Sequence, residues 1–184
     1  GKIEGGYYVL KGYSVFNVEQ TDMQIEKPEI SGETFNPIPV CEDRIIKTGA
    51  TISHGGDAAF YMPSHDRIQL PNKSAFDDVA SYYATAFHEI THWSGAKHRL
   101  DRDLEKGRYG NPAYAFEELI AEMGAAFLCC DHGIQGELRH AGYIQSWLKC
   151  LRDDNKAIFK AAALAQKAAD YINSLDATAA REAA

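Results

Sequence analysis

The sequence lacks a hydrophobic run long enough to cross a bilayer. No apolar stretch among its 184 residues reaches the roughly 18 residues that a transmembrane helix needs. The N-terminal stretch GKIEGGYYVL also lacks an initiator methionine, a charged n-region and a cleavage site, so it does not resemble a signal peptide. We therefore expect no membrane contact. The opening glycine predicts a part of a longer protein, in which residues 1–9 are a linker or the remnant of a tag.

Cysteine is scarce and lacks the spacing of a disulfide framework or a structural zinc site. Its four occurrences form no C-x-x-C pair: Cys41, Cys129, Cys130 and Cys150. Scattered cysteines of this kind are typical of buried thiols in a reducing compartment. The pattern predicts a cytoplasmic protein.

Positive charge is also in deficit, because 19 basic residues face 26 acidic ones and the net charge is −7. A domain that binds nucleic acid through phosphate contacts normally carries a basic patch. The densest basic stretch, RLDRDLEKGR, alternates with acids and predicts a solvated face. We expect this chain not to bind nucleic acid through its own surface, and the interleaved charges also argue against mimicry of DNA.

The first half of the sequence predicts a small sheet. Apolar residues alternate with polar ones in KGYSVFNVEQTD, which predicts a strand. Three further short strands are predicted at ATISH, AAFYMP and RIQLP. The last two strands form a predicted hairpin over Ala58–Leu70. Pro63 and Pro71 bound its arms, and prolines there suit the edge of a sheet.

The second half predicts helices, preceded by a short helix over Val40–Thr48 with Val40, Ile45 and Ile46 facing inward. Ser74 and Asp77 have the S-x-x-D spacing of a capping box, so a long helix is expected to start at Ser74 and to end near Gly95. Three more helices are predicted at Ala113–Cys130, Gly136–Leu151 and Asp153–Leu175. The fold class is therefore α+β, with one domain over residues 10–175 and a disordered tail over 176–184.

The most informative motif is HEITH, which lies late in the predicted helix that follows the hairpin. His88 and His92 are four residues apart, so both imidazoles project from one helix face and can bind one Zn²⁺. Glu89 follows the first histidine and can accept a proton from a metal-activated water that attacks a peptide carbonyl. The motif predicts a zinc site of the peptidase type, with Glu89 as general base.

A catalytic zinc site needs a third protein ligand, and the sequence offers alternatives. His98 completes H-E-x-x-H-x-x-G-x-x-H, which resembles the metzincin motif, but the required methionine turn is missing because Met123 lies in a predicted helix. Glu118 and Glu122 are four apart in FEELIAEMGAAF, and this spacing resembles the third-ligand helix of gluzincins. The apolar residues around these carboxylates favour a bound cation. Glu118 is the favoured third ligand, and Glu122 is the partner that accepts a hydrogen bond from a ligand histidine. His98, Glu117 and Glu122 remain alternatives for the third ligand.

These residues together resemble a known family. Two segments are similar to the C-terminal zincin-like domain of ArdC-type antirestriction proteins: YYATAFHEITHWSGAKHRLDRDL and YAFEELIAEMGAAFL. The similarity extends over nearly all of residues 10–175. The resemblance implies a zincin-like fold, in which a small N-terminal sheet with an edge hairpin packs on the active-site helix and a helical half follows. It implies a gluzincin-like set of metal ligands, with Glu89 as the general base. It also implies Zn²⁺ held by His88, His92 and Glu118. Members of the family carry an N-terminal domain that binds single-stranded DNA, and we expect that domain to be absent from this chain.

Two functions remain open at this point. The first is a zinc-dependent peptidase domain that acts on a peptide or protein, such as a host defence protein, and helps a mobile element to evade restriction. The second is a non-catalytic, metal-stabilised module that binds a protein partner. A peptidase also needs a group that stabilises the oxyanion, and four residues are candidates: Tyr109, Tyr114, His140 and Tyr143.

Overall fold

The structure is a computed structural model that describes residues 35–102, 104, 112–134 and 156–176. These residues belong to one unit, Glu33–Ala184. The strand predicted in KGYSVFNVEQTD and the helix predicted at Gly136–Leu151 lie outside the described residues, as do residues 1–9 and 177–184. The other predicted elements can be compared with the fold directly.

A three-stranded sheet precedes the long helices. It consists of β1 (Thr51–His54), β2 (Phe60–Met62) and β3 (Arg67–Leu70) in the order β1-β3-β2. β1 runs parallel to β3, whereas β2 and β3 form an antiparallel hairpin. The predicted hairpin is confirmed, with Pro63 and Pro71 directly after its two arms. β2 is at the edge of the sheet formed by the described strands, on the side of the long helix that carries the HEITH motif.

Helix α1 (Pro39–Thr48) packs one narrow face on the core. The prediction that Val40 and Ile46 face inward is wrong, because they are 49% and 66% exposed. Cys41 is buried instead, and Ile45 packs beside it. The reason is helical periodicity, since positions 41 and 45 are one turn apart whereas 40 and 46 lie to either side of that face.

Helix α2 (Val79–Ser94) carries the HEITH motif, and it starts later than predicted. Lys73–Ala75 is a separate 3₁₀ turn. The residue that caps α2 is Asp78, whose carboxylate accepts a hydrogen bond from the backbone N–H of Ser81 at 2.6 Å. The capping box predicted from Ser74 is therefore wrong. Asp78 has the same chemistry and lies four residues closer to the apolar stripe that the helix must bury.

The apolar stripe of α2 forms the main core together with the sheet and the later helices. Its fully buried members include Tyr83, Phe87 and Ile90, as predicted. Helix α3 (Pro112–Asp131) packs along α2, and α4 (Ala157–Ser174) packs on α3. The alanines of α4 allow this close approach, because a methyl group adds little width to a helix face. Within the described ranges, no helix has the combination of length and apolar character that a membrane crossing needs.

Helices α2 and α3 approach each other closely at Thr91 and Gly124. Thr91 is fully buried, and its hydroxyl donates to the carbonyl of Phe87 at 2.8 Å. A Cβ atom placed on Gly124 would lie only 2.6 Å from Cγ2 and 2.8 Å from Oγ1 of Thr91. Glycine is required here for space, and the contact sets the distance between the two helices that carry the candidate site.

The substitution Gly124→Ala tests this spacing. Alanine in an open helix would stabilise the protein by about 1 kcal/mol. Here we expect a net loss of about 1–3 kcal/mol, because the new methyl group overlaps the buried Thr91 side chain. The double variant Gly124→Ala/Thr91→Ala removes Cγ2 and Oγ1 of Thr91, the two atoms that the new methyl group overlaps, and should recover part of that loss. Urea denaturation measures the free energy of unfolding, and a stabilising Gly124→Ala would contradict the close contact.

Candidate metal centre

Helix α2 presents His88, Glu89 and His92 on the side that faces α3 and the hairpin. His88 and Glu89 are only 7% and 6% exposed. The Nε2 atoms of His88 and His92 lie 3.2 Å apart, as expected for side chains one helical turn apart that point to a common position. Polar side chains buried to this extent need partners of opposite charge or a metal ion.

Helix α3 brings the carboxylate of Glu118 to the same position. Its two oxygens lie 3.5 Å from Nε2 of His88 and 3.4 Å from Nε2 of His92. Glu118 is 5% exposed. In the described part of the chain, His88, His92 and Glu118 form the cluster whose ligand atoms could hold a metal ion together.

The separations within this cluster fit a tetrahedral ion. Ligand atoms at about 2.0–2.1 Å from a zinc ion lie about 3.4 Å from one another in a tetrahedron. The two Nε2 atoms lie 3.2 Å apart, and each lies close to that value from a different oxygen of Glu118, at 3.5 Å for His88 and 3.4 Å for His92. Two imidazoles and a carboxylate are also a donor set of catalytic zinc sites. The residues therefore fit a divalent metal ion with one position left for water.

The outer nitrogens of both histidines face carboxylates. Nδ1 of His88 lies 3.2 Å from Oε2 of Glu122, and Nδ1 of His92 lies 3.2 Å from Oε1 of Glu117. A carboxylate in this position favours the tautomer with the proton on Nδ1, so that the Nε2 lone pair can face a metal. Glu122 thus lies where the sequence predicts a partner for a ligand histidine. Glu117 has the equivalent position for the second histidine, a role that we did not predict.

The partner of Glu117 is Arg102, which lies in the stretch predicted to be a solvated face. That prediction is wrong at this residue, because the side chain of Arg102 is 7% exposed and forms a salt bridge with Glu117 at 2.9 Å. Arg99 in the same stretch is equally buried and bonds to Asp66. Local charge alternation could not reveal either pair, since each arginine meets an acid from another element.

Charge within the cluster shifts the protonation of its members. Burial disfavours the charged form of His92, but Glu117 and Glu118 outweigh burial and raise its pKa to about 10. The pKa of His88 is also raised, because Glu118 and Glu122 outweigh its burial. The two imidazoles hold the pKa of Glu118 well below its usual range despite burial. The carboxylates thus favour a cation at the imidazoles, and a metal ion must compete there with protons.

Glu89 lies beside the three ligand atoms but has a different environment. Its pKa is raised, mainly by burial, although His92 and His88 act in the opposite direction. The backbone of Tyr61 in β2 acts weakly in the same direction as the imidazoles and lowers the pKa of Glu89. Its Oε2 atom is buried and has no hydrogen-bond partner among the described residues. A carboxyl group with one unused buried oxygen can receive a proton from a water molecule in the site.

His98 lies apart from the cluster. Its side chain is 64% exposed, and Nε2 lies 3.3 Å from Oδ2 of Asp66 in the hairpin turn. Gly95 ends α2 in a right-handed conformation, and the turn that follows carries His98 to the hairpin. The structure therefore brings Glu118, and not His98, to the two histidines of the motif.

An open cleft of about 250 Å³ gives access to the cluster. One wall consists of residues from the hairpin, including Phe60 and Tyr61, and the other of residues from the start of α3, including Tyr114. Tyr114 is the one oxyanion candidate that the described part of the chain contains. Tyr109, His140 and Tyr143 lie outside it.

Comparison with known proteins relates this geometry to a family. The sequence model of the zincin-like metallopeptidases, MPTase-PolyVal, matches residues 39–164, a range that contains the whole cluster. The chain belongs to this zincin-like metallopeptidase family. The predicted α+β, zincin-like fold is thus confirmed, and a divalent metal ion is the cofactor that suits the zincin-like cluster.

Solved structures of a related zincin-like protein have the same fold. The Mn(II)-bound crystal structure of the antirestriction protein ArdC from plasmid R388 superposes with a TM-score of 0.68 at 42% identity, over 90% of this chain and 62% of ArdC. The metal-free ArdC structure gives a TM-score of 0.66 at 43% identity, over 89% of this chain and 60% of ArdC. The predicted resemblance to ArdC-type proteins is confirmed.

Sequence relatives of this zincin-like domain are longer proteins. Protein y4eC of Sinorhizobium fredii is 43% identical over 173 residues, which cover 93% of this chain and 56% of y4eC. The DNA primase TraC of Escherichia coli is 44% identical over 163 residues, which cover 86% of this chain and 15% of TraC. The chain therefore spans about half or less of these relatives.

Proposed function

We propose that this chain is the zinc-dependent metallopeptidase domain, over residues 10–175, of an antirestriction protein from a mobile element. The observation that carries the proposal is the convergence of His88, His92 and Glu118 beside the buried carboxyl group of Glu89. The similarity to ArdC of plasmid R388 supports the antirestriction setting. We place the activity in the cytoplasm.

Zinc is the proposed ion because two imidazoles and one carboxylate are a frequent donor set of catalytic zinc. His88, His92 and Glu118 would hold it, with Glu122 and Glu117 behind the histidines. When bound, the ion supplies positive charge that activates water and polarises the carbonyl of a peptide bond. Since the related ArdC structure contains Mn(II), Mn²⁺ is the second ion to test.

Glu89 is the proposed general base. It accepts a proton from the attacking water and passes this proton to the nitrogen of the leaving amine, so that the peptide bond is hydrolysed into an acid and an amine. Burial raises the pKa of Glu89 above its ordinary value and towards the pH at which it must exchange protons.

Tyr114 is the proposed donor to the oxyanion. It lies in the first turn of α3 and lines the cleft together with the ligands. A phenol in the cleft wall can donate to the oxygen that becomes negative when water attacks the carbonyl. The three other sequence candidates, Tyr109, His140 and Tyr143, remain predictions.

The proposed substrate is an extended segment of a protein, such as a host defence protein. The cleft runs beside β2, which is the edge strand of the described sheet and pairs with β3 on one side. An extended chain can pair with such an edge through main-chain hydrogen bonds, which tolerate many sequences. Phe60 of β2 is 41% exposed and lines the same cleft, where it can contact an apolar side chain. We propose that single-stranded DNA is bound by another, N-terminal domain and not by this chain.

Removal and return of the metal tests the proposed function. The zinc-loaded protein is incubated with an unfolded protein such as reduced casein, and new N-termini are identified by mass spectrometry. We expect cleavage that a chelator stops and that stoichiometric Zn²⁺ restores. Full zinc occupancy without any cleavage would contradict the proposal.

The second candidate function is a non-catalytic protein-binding module that aids evasion of host restriction. One observation favours it: the ligands come from both α2 and α3, so that an ion would tie the two helices together. In that case chelation lowers the melting temperature and partner binding, and no substrate is cleaved. The same chelation experiment therefore separates the two functions.

A further inference from the structure

We infer that Arg102 is a positioning residue for the proposed metal ligand His92, and that it acts through Glu117. The inference rests on the proposed role of His92 in binding metal. The three side chains form a continuous chain of contacts from the loop after α2, through α3, and back to α2. We call this chain the arginine brace.

The first contact of the arginine brace joins Arg102 to Glu117. Nη2 of Arg102 donates to Oε1 of Glu117 at 2.9 Å, and Nε donates to Oε2 at 3.1 Å. Two parallel hydrogen bonds of this kind fix both the position and the plane of a carboxylate. The side chains of Arg102 and Glu117 are 7% and 16% exposed, so that little solvent competes for these bonds.

The guanidinium is itself held on the helix that carries His92. Nη2 of Arg102 donates to the carbonyl of Thr91 at 2.5 Å, and Nη1 donates to Oγ of Ser94 at 3.1 Å. Thr91 directly precedes His92 in α2. Arg102 thus fixes Glu117 relative to the turn of α2 that carries His92, the histidine that Glu117 faces.

Gly95 makes room for this arrangement. A Cβ atom at this position would lie 2.8 Å from Nη2 and 2.9 Å from Cζ of Arg102. The φ angle of Gly95 is −78°, a value that any residue can adopt. Glycine is therefore needed here for the close approach of the guanidinium and not for its conformational freedom.

The last contact of the arginine brace joins Glu117 to His92. Oε1 of Glu117 lies 3.2 Å from Nδ1 of His92. With the proton of the neutral imidazole on Nδ1, the lone pair of Nε2 is directed to the ligand cluster. Without Arg102, the buried Glu117 would lose its counter-charge and could turn away from the histidine.

Arg99 provides a matched control within the same loop. Its side chain is also 7% exposed, it also donates to a carbonyl near the end of α2 (Trp93, at 2.9 Å), and it also pairs with an acid from another element. That acid is Asp66 of the hairpin turn. Among the described contacts, Asp66 meets neither His88 nor His92. The two arginines share burial and charge and differ in whether they lead to a proposed ligand.

Zinc affinity of Arg102→Met and Arg99→Met tests the arginine brace. Each purified variant is titrated with Zn²⁺ against a chromophoric chelator, and its melting temperature is measured with and without zinc. We expect both variants to melt earlier than the wild type. Only Arg102→Met should lose zinc affinity, by about 10–100-fold, as for other partners of metal-ligating histidines.

A second variant keeps the test decisive if Arg102→Met does not fold. Glu117→Gln retains the shape of the side chain and an oxygen that can accept from His92, but it removes the charge that Arg102 pairs with. It should also lower the zinc affinity, and the double variant Arg102→Met/Glu117→Gln should bind no more weakly than the weaker single variant. Additive losses would show that the two residues act separately and would overturn the inference.

The remaining outcomes separate this inference from the proposed function. Unchanged zinc affinity in Arg102→Met or Glu117→Gln, or an equal loss in Arg99→Met, overturns the arginine brace while zinc binding by the wild type stands. A wild type that binds no zinc overturns both proposals together. A wild type that binds zinc but cleaves nothing overturns the peptidase proposal alone, because the brace concerns metal affinity.

Discussion

Glu89→Gln is expected to lower kcat for polypeptide cleavage by about 10²–10⁴-fold, which is the contribution of a general base. Glutamine has nearly the same shape as glutamate but cannot accept a proton from water at neutral pH. His88, His92 and Glu118 are untouched, so the variant should still bind one zinc ion. Initial rates at saturating zinc and elemental analysis of the same sample measure both properties.

The stability of Glu89→Gln provides the control for this prediction. Burial raises the pKa of Glu89 in the folded protein, so ionisation of this group opposes folding as the pH rises through the raised pKa. A neutral glutamine removes that penalty, and we expect the metal-free variant to have a melting temperature at pH 7 no lower than that of the metal-free wild type. Full activity in a zinc-loaded Glu89→Gln would exclude Glu89 as the base.

Glu118→Ala is expected to weaken zinc binding by about 10²–10³-fold. A structural zinc site with four ligands binds with about 10–16 kcal/mol, so that one ligand contributes roughly a quarter of this, or about 2.5–4 kcal/mol. The variant keeps both histidines but loses the carboxylate that lies 3.5 and 3.4 Å from their Nε2 atoms. Competition with a chelator of known affinity measures the change.

His98→Ala is the matched control for the third ligand. His98 satisfies the metzincin-like spacing, but its side chain is 64% exposed and pairs with Asp66. We expect its zinc affinity to stay within about twofold of the wild type, a change below 0.5 kcal/mol. Loss of zinc from His98→Ala with retention in Glu118→Ala would reverse the proposed ligand set.

The HEITH motif was predictable because its geometry is local. A helix converts a spacing of four residues into two side chains on one face, and no information from the rest of the chain is needed. Glu118 could be named as a candidate ligand because its helix is too apolar for a carboxylate without a cation. The hairpin beside the site followed from two short alternating segments with prolines at their ends.

The arginine brace was not predictable because its charges become buried only in the fold. RLDRDLEKGR reads as a solvated face, and two of its arginines are nevertheless 7% exposed. Arg102 meets Glu117 from α3, and Arg99 meets Asp66 from the hairpin. Pairs of this kind depend on how separate elements pack. The ten residues of this stretch do not indicate which acids from other elements will lie beside its arginines.

Three candidates to bind metal or accept a proton could be named without the fold: His88, Glu89 and His92. Helical periodicity converts their spacing into a common direction. The choice between Glu118 and His98, in contrast, depended on how the helices pack. The contact of Thr91 with Gly124 sets α3 close to α2 and brings Glu118 to the histidines, whereas the turn after Gly95 carries His98 to Asp66. A third ligand from outside the motif must come from the element that packs against the motif helix, and that packing depends on the whole interface between α2 and α3.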